Sequence, residues 1–146
     1  MSYIRQPAVA GAFYPGQAGE LEAAVKGYLA GASVAEATVP KAIIAPHAGY
    51  IYSGPVAASA YACLAPAKDT IKRVVLLGPC HRVAIDGMAL SAADAFATPL
   101  GDVPIDRQAV DLIRDMPQVL ISDAAHLDEH SLEVHLPFLQ VVLADF

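Results

Sequence analysis

The chain has no apolar run long enough to cross a bilayer. Its longest, such as residues 74–77 and 139–144, fall far short of the ~20 residues that a spanning helix needs, so no membrane association is expected. The first residues, Met1-Ser2-Tyr3-Ile4-Arg5-Gln6-Pro7, do not place a basic segment before an apolar one, so they do not read as a secretory signal. Cysteine is scarce. Cys63 and Cys80 alone supply no disulfide framework, and a reducing, cytoplasmic setting is expected. Basic residues are few and scattered, nine against fifteen acidic for a net charge of −6, and without a basic stripe nucleic acid is not an expected partner. A Gly-x-Ser-x-Gly elbow is missing. Phosphate-loop and dinucleotide fingerprints are missing too, because Ala10-Gly11-Ala12 and the glycines at 49 and 54 lack the required spacing. With no internal repeat, low-complexity tract or linker, residues 1–146 read as one domain, long enough to bury a sizeable core.

What the chain does have is apolar content, 55% hydrophobic with a mean hydropathy of +0.45. Without a membrane span, this points to an α/β fold whose sheet is covered on both faces, so that its strands run continuously hydrophobic. Residues 7–16 are turn-rich and read as an ordered loop. Leu21, Ala24, Val25, Tyr28 and Leu29 recur at helical spacing, with Gly31 as a stop, and residues 31–40 form an exposed connection. Residues 41–45 read as a first core strand that Pro46 ends. A helix starting at Ser53 or Gly54 and running through Leu64 follows, and residues 73–77 read as a second core strand stopped by Gly78-Pro79. That β-helix-β order predicts a right-handed parallel crossover. Further on, short extended pieces fall at 87–90 and 95–98, with a turn at 99–102. Asp106 caps a helix through Met116 that carries Ala109, Val110 and Ile113 on one face. A strand at 119–122 and an acidic loop at 123–129 precede a last helix, capped by Ser131, running to about Leu143 and kinked at Pro137. An alternating fold would next need a strand after that helix, so either the helix covers a sheet edge or the chain is part of a larger domain.

The polar chemistry is concentrated in three segments: Ala45-Pro46-His47-Ala48-Gly49-Tyr50, Gly78-Pro79-Cys80-His81, and Asp128-Glu129-His130-Ser131-Leu132-Glu133-Val134-His135. The first two each follow an apolar run, and a histidine just past the end of a strand faces the crevice where open α/β sheets place their ligands. Imidazole suits Fe, Cu and Zn, so His47 and His81 are candidates to share one metal ion, leaving positions open for substrate. Tyr50, Tyr52 and Ser53 crowd hydroxyl groups around the same turn and are candidate substrate contacts. Adjacent residues in an extended segment point to opposite sides, which makes Cys80 a packed thiol rather than a second ligand beside His81. Cys63 reads as core packing. His130, flanked by Asp128 and Glu129, is a candidate to orient a ligand or act as general base near neutral pH. His135 is evenly divided between packing and function, and His126 reads as a surface histidine.

Taken in order, five stretches resemble the Memo family, which is similar in fold to the LigB-type class III extradiol dioxygenases. They are Arg5-Gln6-Pro7-Ala8-Val9-Ala10-Gly11-Ala12-Phe13-Tyr14-Pro15, residues 45–54, Leu77-Gly78-Pro79-Cys80-His81, Thr98-Pro99-Leu100-Gly101, and residues 129–140. The resemblance implies a three-layer α/β sandwich, a mostly parallel sheet flanked by helices with a pocket at the strand ends. It matches His47 and His81 to the family's two N-terminal metal-site histidines. It matches His130 to a third active-site histidine whose dioxygenase counterpart is a catalytic base. The implied cofactor is non-haem Fe(II), used by the ring-cleaving relatives, or copper, since Memo proteins have been associated with either metal. Some members have been viewed as non-enzymatic binders of phosphorylated peptides, and many are encoded near radical-SAM proteins. Two departures stand out: Cys80 replaces the family's usual serine, and family domains are about twice this length. The remaining metal ligand, a cysteine in Memo proteins and a carboxylate in the dioxygenases, comes from the other half. Three expectations follow: a metal-dependent, Fe- or Cu-using oxidoreductase, a module binding a peptide or small anion in the same pocket, or an inactive truncated product. A small molecule or peptide is the expected ligand, and a second copy of the chain is a candidate to cover a bare sheet edge.

Overall fold

A computed structural model of the chain describes residues 2–34, 38–143 and 145–146; residues 35–37 of the expected exposed connection lie outside them. The helices among the described residues are α1 (Ala18–Ala30), α2 (Tyr50–Ala62), α3 (Arg107–Ile113), α4 (Ala124–Leu127) and α5 (Leu136–Val142). Two 3₁₀ turns, Ala65–Ala67 and Glu133–His135, accompany them. The strands are β1 (Ile4–Arg5), β2 (Met88–Leu90), β3 (Ala95–Thr98), β4 (Gly101–Pro104) and β5 (Val119–Ile121). The architecture is α/β. β3 lies between β1, which it meets in parallel, and β4, which it meets antiparallel, while β2 and β5 pair in parallel as a second sheet.

Helix α1 forms where the periodicity places it. Leu21 and Val25 are fully buried, and Gly31 follows as the cap residue. Helix α2 starts at Tyr50, ahead of the expected start at Ser53 or Gly54. The Gly49 carbonyl already accepts from Tyr52 and Ser53, and the Tyr50 amide donates to the Phe13 carbonyl at 2.7 Å. Ser53 sits inside the helix and turns its hydroxyl back to the Ala48 carbonyl at 2.7 Å, with the Gly49 carbonyl, the i−4 acceptor open to any helical serine, at 3.3 Å. The two helices approach closely because Gly54 has no side chain: a Cβ there would lie 2.7 Å from the Tyr28 ring. Helix α5 packs against both, with Phe138 stacked on Tyr61 at 5.1 Å. Tyr14, Tyr50, Ala57 and Leu139 belong to the same buried cluster.

The short extended pieces appear as β2, β3 and β5, and Asp106 caps α3 by accepting from the Ala109 amide at 3.1 Å. Helix α3 ends at Ile113 rather than Met116; it buries none of its residues, and the Asp106 cap and the bonds from Arg107 to the Ala92 and Ala93 carbonyls hold its first turn. The acidic loop contains one helical turn, α4.

Two expectations need correction. Residues 41–45 and 73–77 run without a strand partner among the described residues, so neither is a core strand here and the crossover between them is not formed. Ile43 and Leu76 pack against the core, but Ile44 is 100% exposed, Val75 86% and Leu77 74%. One face of each segment is covered and the other is bare. A ladder needs a neighbour ~4.8 Å away, and apolar character alone does not supply one. The last helix also differs. Ser131 does not cap it, and in place of a kinked helix the chain makes a 3₁₀ turn before α5 begins at Leu136. Pro137 thereby falls in the first turn of α5, where a missing N–H breaks no helical bond.

Candidate metal centre

The loop 78–81 and the segment 129–132 dock as one unit. The Ser131 hydroxyl donates to the Pro79 carbonyl at 2.6 Å. At Gly78 an added Cβ would lie 2.8 Å from Ser131 Oγ and 2.9 Å from Leu132 Cδ2, so the close approach depends on glycine. Glu129, buried, joins the two segments: its carboxylate accepts from the His81 amide, from the His130 amide at 2.8 Å and from the Ser131 amide at 3.0 Å. It also faces His81 Nδ1 at 2.9 Å. Burial pushes this carboxyl up, but the His81 ring and these three amides outweigh burial and hold it down at about 2.

Beneath this unit lies a buried ion pair between Arg5 and Glu133, 1% and 0% exposed. Arg5 also donates to the His126 carbonyl at 2.8 Å and to the Glu129 carbonyl, with its guanidinium over the Phe96 ring at 5.1 Å. Glu133 accepts from the Ala8 amide at 2.7 Å, the Val9 amide at 3.0 Å and the Tyr14 hydroxyl. β1 and the first loop are thus tied to the backbone that carries Glu129 and His130.

The outcome is a cluster of three imidazoles. One ring nitrogen from each of His47, His81 and His130 lies within 4.8 Å of the others. The His81 and His130 rings stack at 4.8 Å with an 8° tilt, and His47 is 5.4 Å from His81 and 5.8 Å from His130. Phe13 packs on His130 at 4.6 Å. Burial pushes the His130 ring below its ordinary value. The charges of His81, His47 and Arg82 act in the same direction and Glu129 acts against them. Three imidazoles so grouped form a donor set suited to Fe, Cu or Zn, so the residues present fit a metal ion.

His135 is a fourth member at the rear, 6.3 Å from His47 and 6.0 Å from Tyr61. Burial, with His47 adding to it, pushes its ring down from 6.5 to about 4. In the unfolded chain the ring takes up a proton near pH 6.5 that the folded chain refuses until about 4, so stability falls as the pH drops through that window. Taking the metal-free protein from pH 7.5 to 5 is expected to cost about 2 kcal/mol from this ring. Urea unfolding of the His135→Gln variant should show acid sensitivity reduced by that amount. Equal sensitivity in both proteins would place the loss on other groups.

The structure thus brings His47, His81 and His130 together. Tyr50 is buried, with its hydroxyl donated to the Val134 carbonyl at 2.6 Å, and burial holds its phenol well above the usual range. Ser53 is buried and bonded to the backbone, which leaves Tyr52, 79% exposed, as the free hydroxyl of the three proposed substrate contacts. Cys80 faces away, its thiol 3.6 Å from the Ala125 carbonyl. His126 is not a surface residue: half-buried, it holds the Ala89 carbonyl at 3.0 Å through Nε2, and burial lowers its proton affinity. In the sequence Glu129 reads only as a neighbour of His130. Its bond to His81 spans 48 residues, and no local spacing signals it.

Comparison with known proteins gives a match to the family described as Memo-like protein over residues 5–146. The chain is 44% identical over 137 residues to a MEMO1 family protein of Aquifex aeolicus, covering 94% of this chain and 49% of that one. It is 41% identical to one from Sulfurisphaera tokodaii, covering 94% and 52%, and 38% identical to one from Thermotoga neapolitana, covering 98% and 55%. The chain spans about half the length of these relatives. Among the described residues, no helix is long and apolar enough to cross a membrane.

Proposed function

The chain belongs to the Memo-like protein family, and on that footing we propose that His47, His81 and His130 hold non-haem Fe(II) or copper for an oxidoreductase reaction related to that of the class III extradiol dioxygenases. The observation that supports this reading most is the convergence of three imidazoles from segments far apart in sequence. When bound, such a metal supplies a positive centre with open positions, at which an organic substrate and dioxygen are activated together. The chain's own residues do the rest. His47 and His81 serve as donors, and His130, whose proton affinity burial lowers, serves as third donor or as the base that takes a proton from a substrate hydroxyl. Phe13 fixes the His130 ring from one side. The ligand is a small molecule or peptide, with Tyr52 the exposed hydroxyl near the turn. A second copy of the chain is the proposed cover for the bare face of Ile44, Val75 and Leu77.

The test is anaerobic loading with Fe(II) or Cu(I), followed by metal analysis and measurement of dioxygen uptake with a catechol. About one ion per chain, with uptake abolished by a chelator, is the expected result. A chain that remains metal-free after loading with either ion overturns the reading.

A further inference from the structure

Glu129 has more partners than a carboxylate needs to be satisfied. Three backbone amides converge on it, from His81, His130 and Ser131, and the fourth contact is His81 Nδ1 at 2.9 Å. Both carboxyl oxygens already accept from backbone N–H groups, Oε1 from His130 and Ser131 and Oε2 from His81, so the carboxyl group meets its fourth contact as an acceptor. The proton in the fourth contact therefore belongs to the imidazole. This assigns the tautomer of His81: Nδ1 carries the hydrogen, and Nε2 carries the lone pair. The amide of the same residue is bonded to the other carboxylate oxygen, so backbone and ring of His81 are gripped together and the ring cannot turn without breaking the Nδ1 bond.

We propose that Glu129 is the positioning residue of the histidine cluster, fixing His81 in the Nδ1–H tautomer so that Nε2 is its only lone pair available to a metal ion. As an inference about metal binding, it rests on the reading of the three imidazoles as a metal centre. As an inference about tautomer and ring orientation, it stands on the geometry alone. The physical basis is general: a carboxylate behind a ligating imidazole fixes its tautomer, limits its rotation and raises its basicity, and loss of such a partner lowers metal affinity ~10–100-fold. Glu129 does this from a position adjacent to another member of the cluster, since its own backbone runs directly into His130. One carboxyl group thereby sets the spacing of two rings, stacked at 4.8 Å, from segments 48 residues apart.

The experiment is long-range ¹H–¹⁵N correlation of the imidazole nitrogens in the metal-free chain. The His81 signals are assigned by their absence in His81→Ala. The wild-type protein should show the Nδ1–H pattern, and Glu129→Gln should show a mixture of the two tautomers. Zn(II), used as a redox-inert probe, should bind Glu129→Gln ~10–100-fold more weakly than wild type. A wild-type His81 in the Nε2–H form overturns the proposal without any variant, so a misfolded Glu129→Gln does not leave it undecided. An unchanged tautomer with unchanged Zn(II) affinity in a folded Glu129→Gln overturns it as well. The Nδ1–H pattern in a chain that binds no Zn(II) supports the positioning role and counts against the metal centre, so the two failures are distinct.

Discussion

Glu133→Ala is expected to destabilise the chain by about 3–5 kcal/mol, a large part of the stability of a domain this size. The substitution leaves the Arg5 guanidinium, 1% exposed, without its counter-charge, and it removes the acceptor for two backbone amides and a tyrosine hydroxyl. Replacing a buried ion pair with two apolar side chains is often neutral or favourable, so a double variant, Arg5→Met with Glu133→Leu, is the informative control. Here the double variant is expected to stay strongly destabilised. The amides of Ala8 and Val9, the Tyr14 hydroxyl and the Glu129 carbonyl would lose their partners, and the His126 carbonyl would keep the Glu129 amide at 3.3 Å. Urea unfolding followed by circular dichroism decides the matter. A double variant as stable as wild type would mean that water satisfies those groups and that the network adds little beyond the charge pair.

The second large effect concerns the imidazoles. If the three rings hold an ion as proposed, His47→Ala and His81→Ala should each weaken binding of Fe(II) or Cu(I) by more than ~100-fold, since loss of a direct ligand exceeds the effect of losing a partner behind one. His130→Ala should produce a comparable loss, because its ring nitrogen belongs to the same group within 4.8 Å. Competition against a chromophoric chelator under anaerobic conditions measures all three. Full retention of metal in His130→Ala, with dioxygen uptake lost, would assign His130 the role of base alone. Peptide binding that survives both the chelator and His47→Ala would favour a binding module over an oxidoreductase.

The parts of this molecule that rest on local chemistry are readable in its sequence. Leu21 and Val25 mark the buried stripe of α1, Asp106 caps α3, and the histidines at 47, 81 and 130 stand out by their place after apolar runs or beside carboxylates. What could not be read depends on partners distant in the chain. Ser131 has the residue type and position of a helix cap, but its hydroxyl finds the Pro79 carbonyl, 52 residues away. Tyr50 and Ser53 look like site hydroxyls because they follow His47, yet each has a backbone carbonyl within reach. Residues 41–45 and 73–77 show the same limit from the other side: an apolar run shows that a segment needs cover without naming the segment that provides it.

The clamp at the base of the site also sets an order of events. Arg5 meets Glu133 across 128 residues, and Glu129 reaches His81 across 48. Contacts of such span form only after long loops have closed, which is entropically unfavourable and slow. During synthesis His47 and His81 leave the ribosome well before the carboxylates that hold the second of them in place. Before those carboxylates emerge, the two imidazoles lack the contacts that bring them together in the folded chain. On the proposed reading of the three imidazoles as a metal centre, discrimination among metals would be deferred until residue 133 has emerged, and the occupant would reflect which ions surround the folded protein rather than those its nascent chain met first.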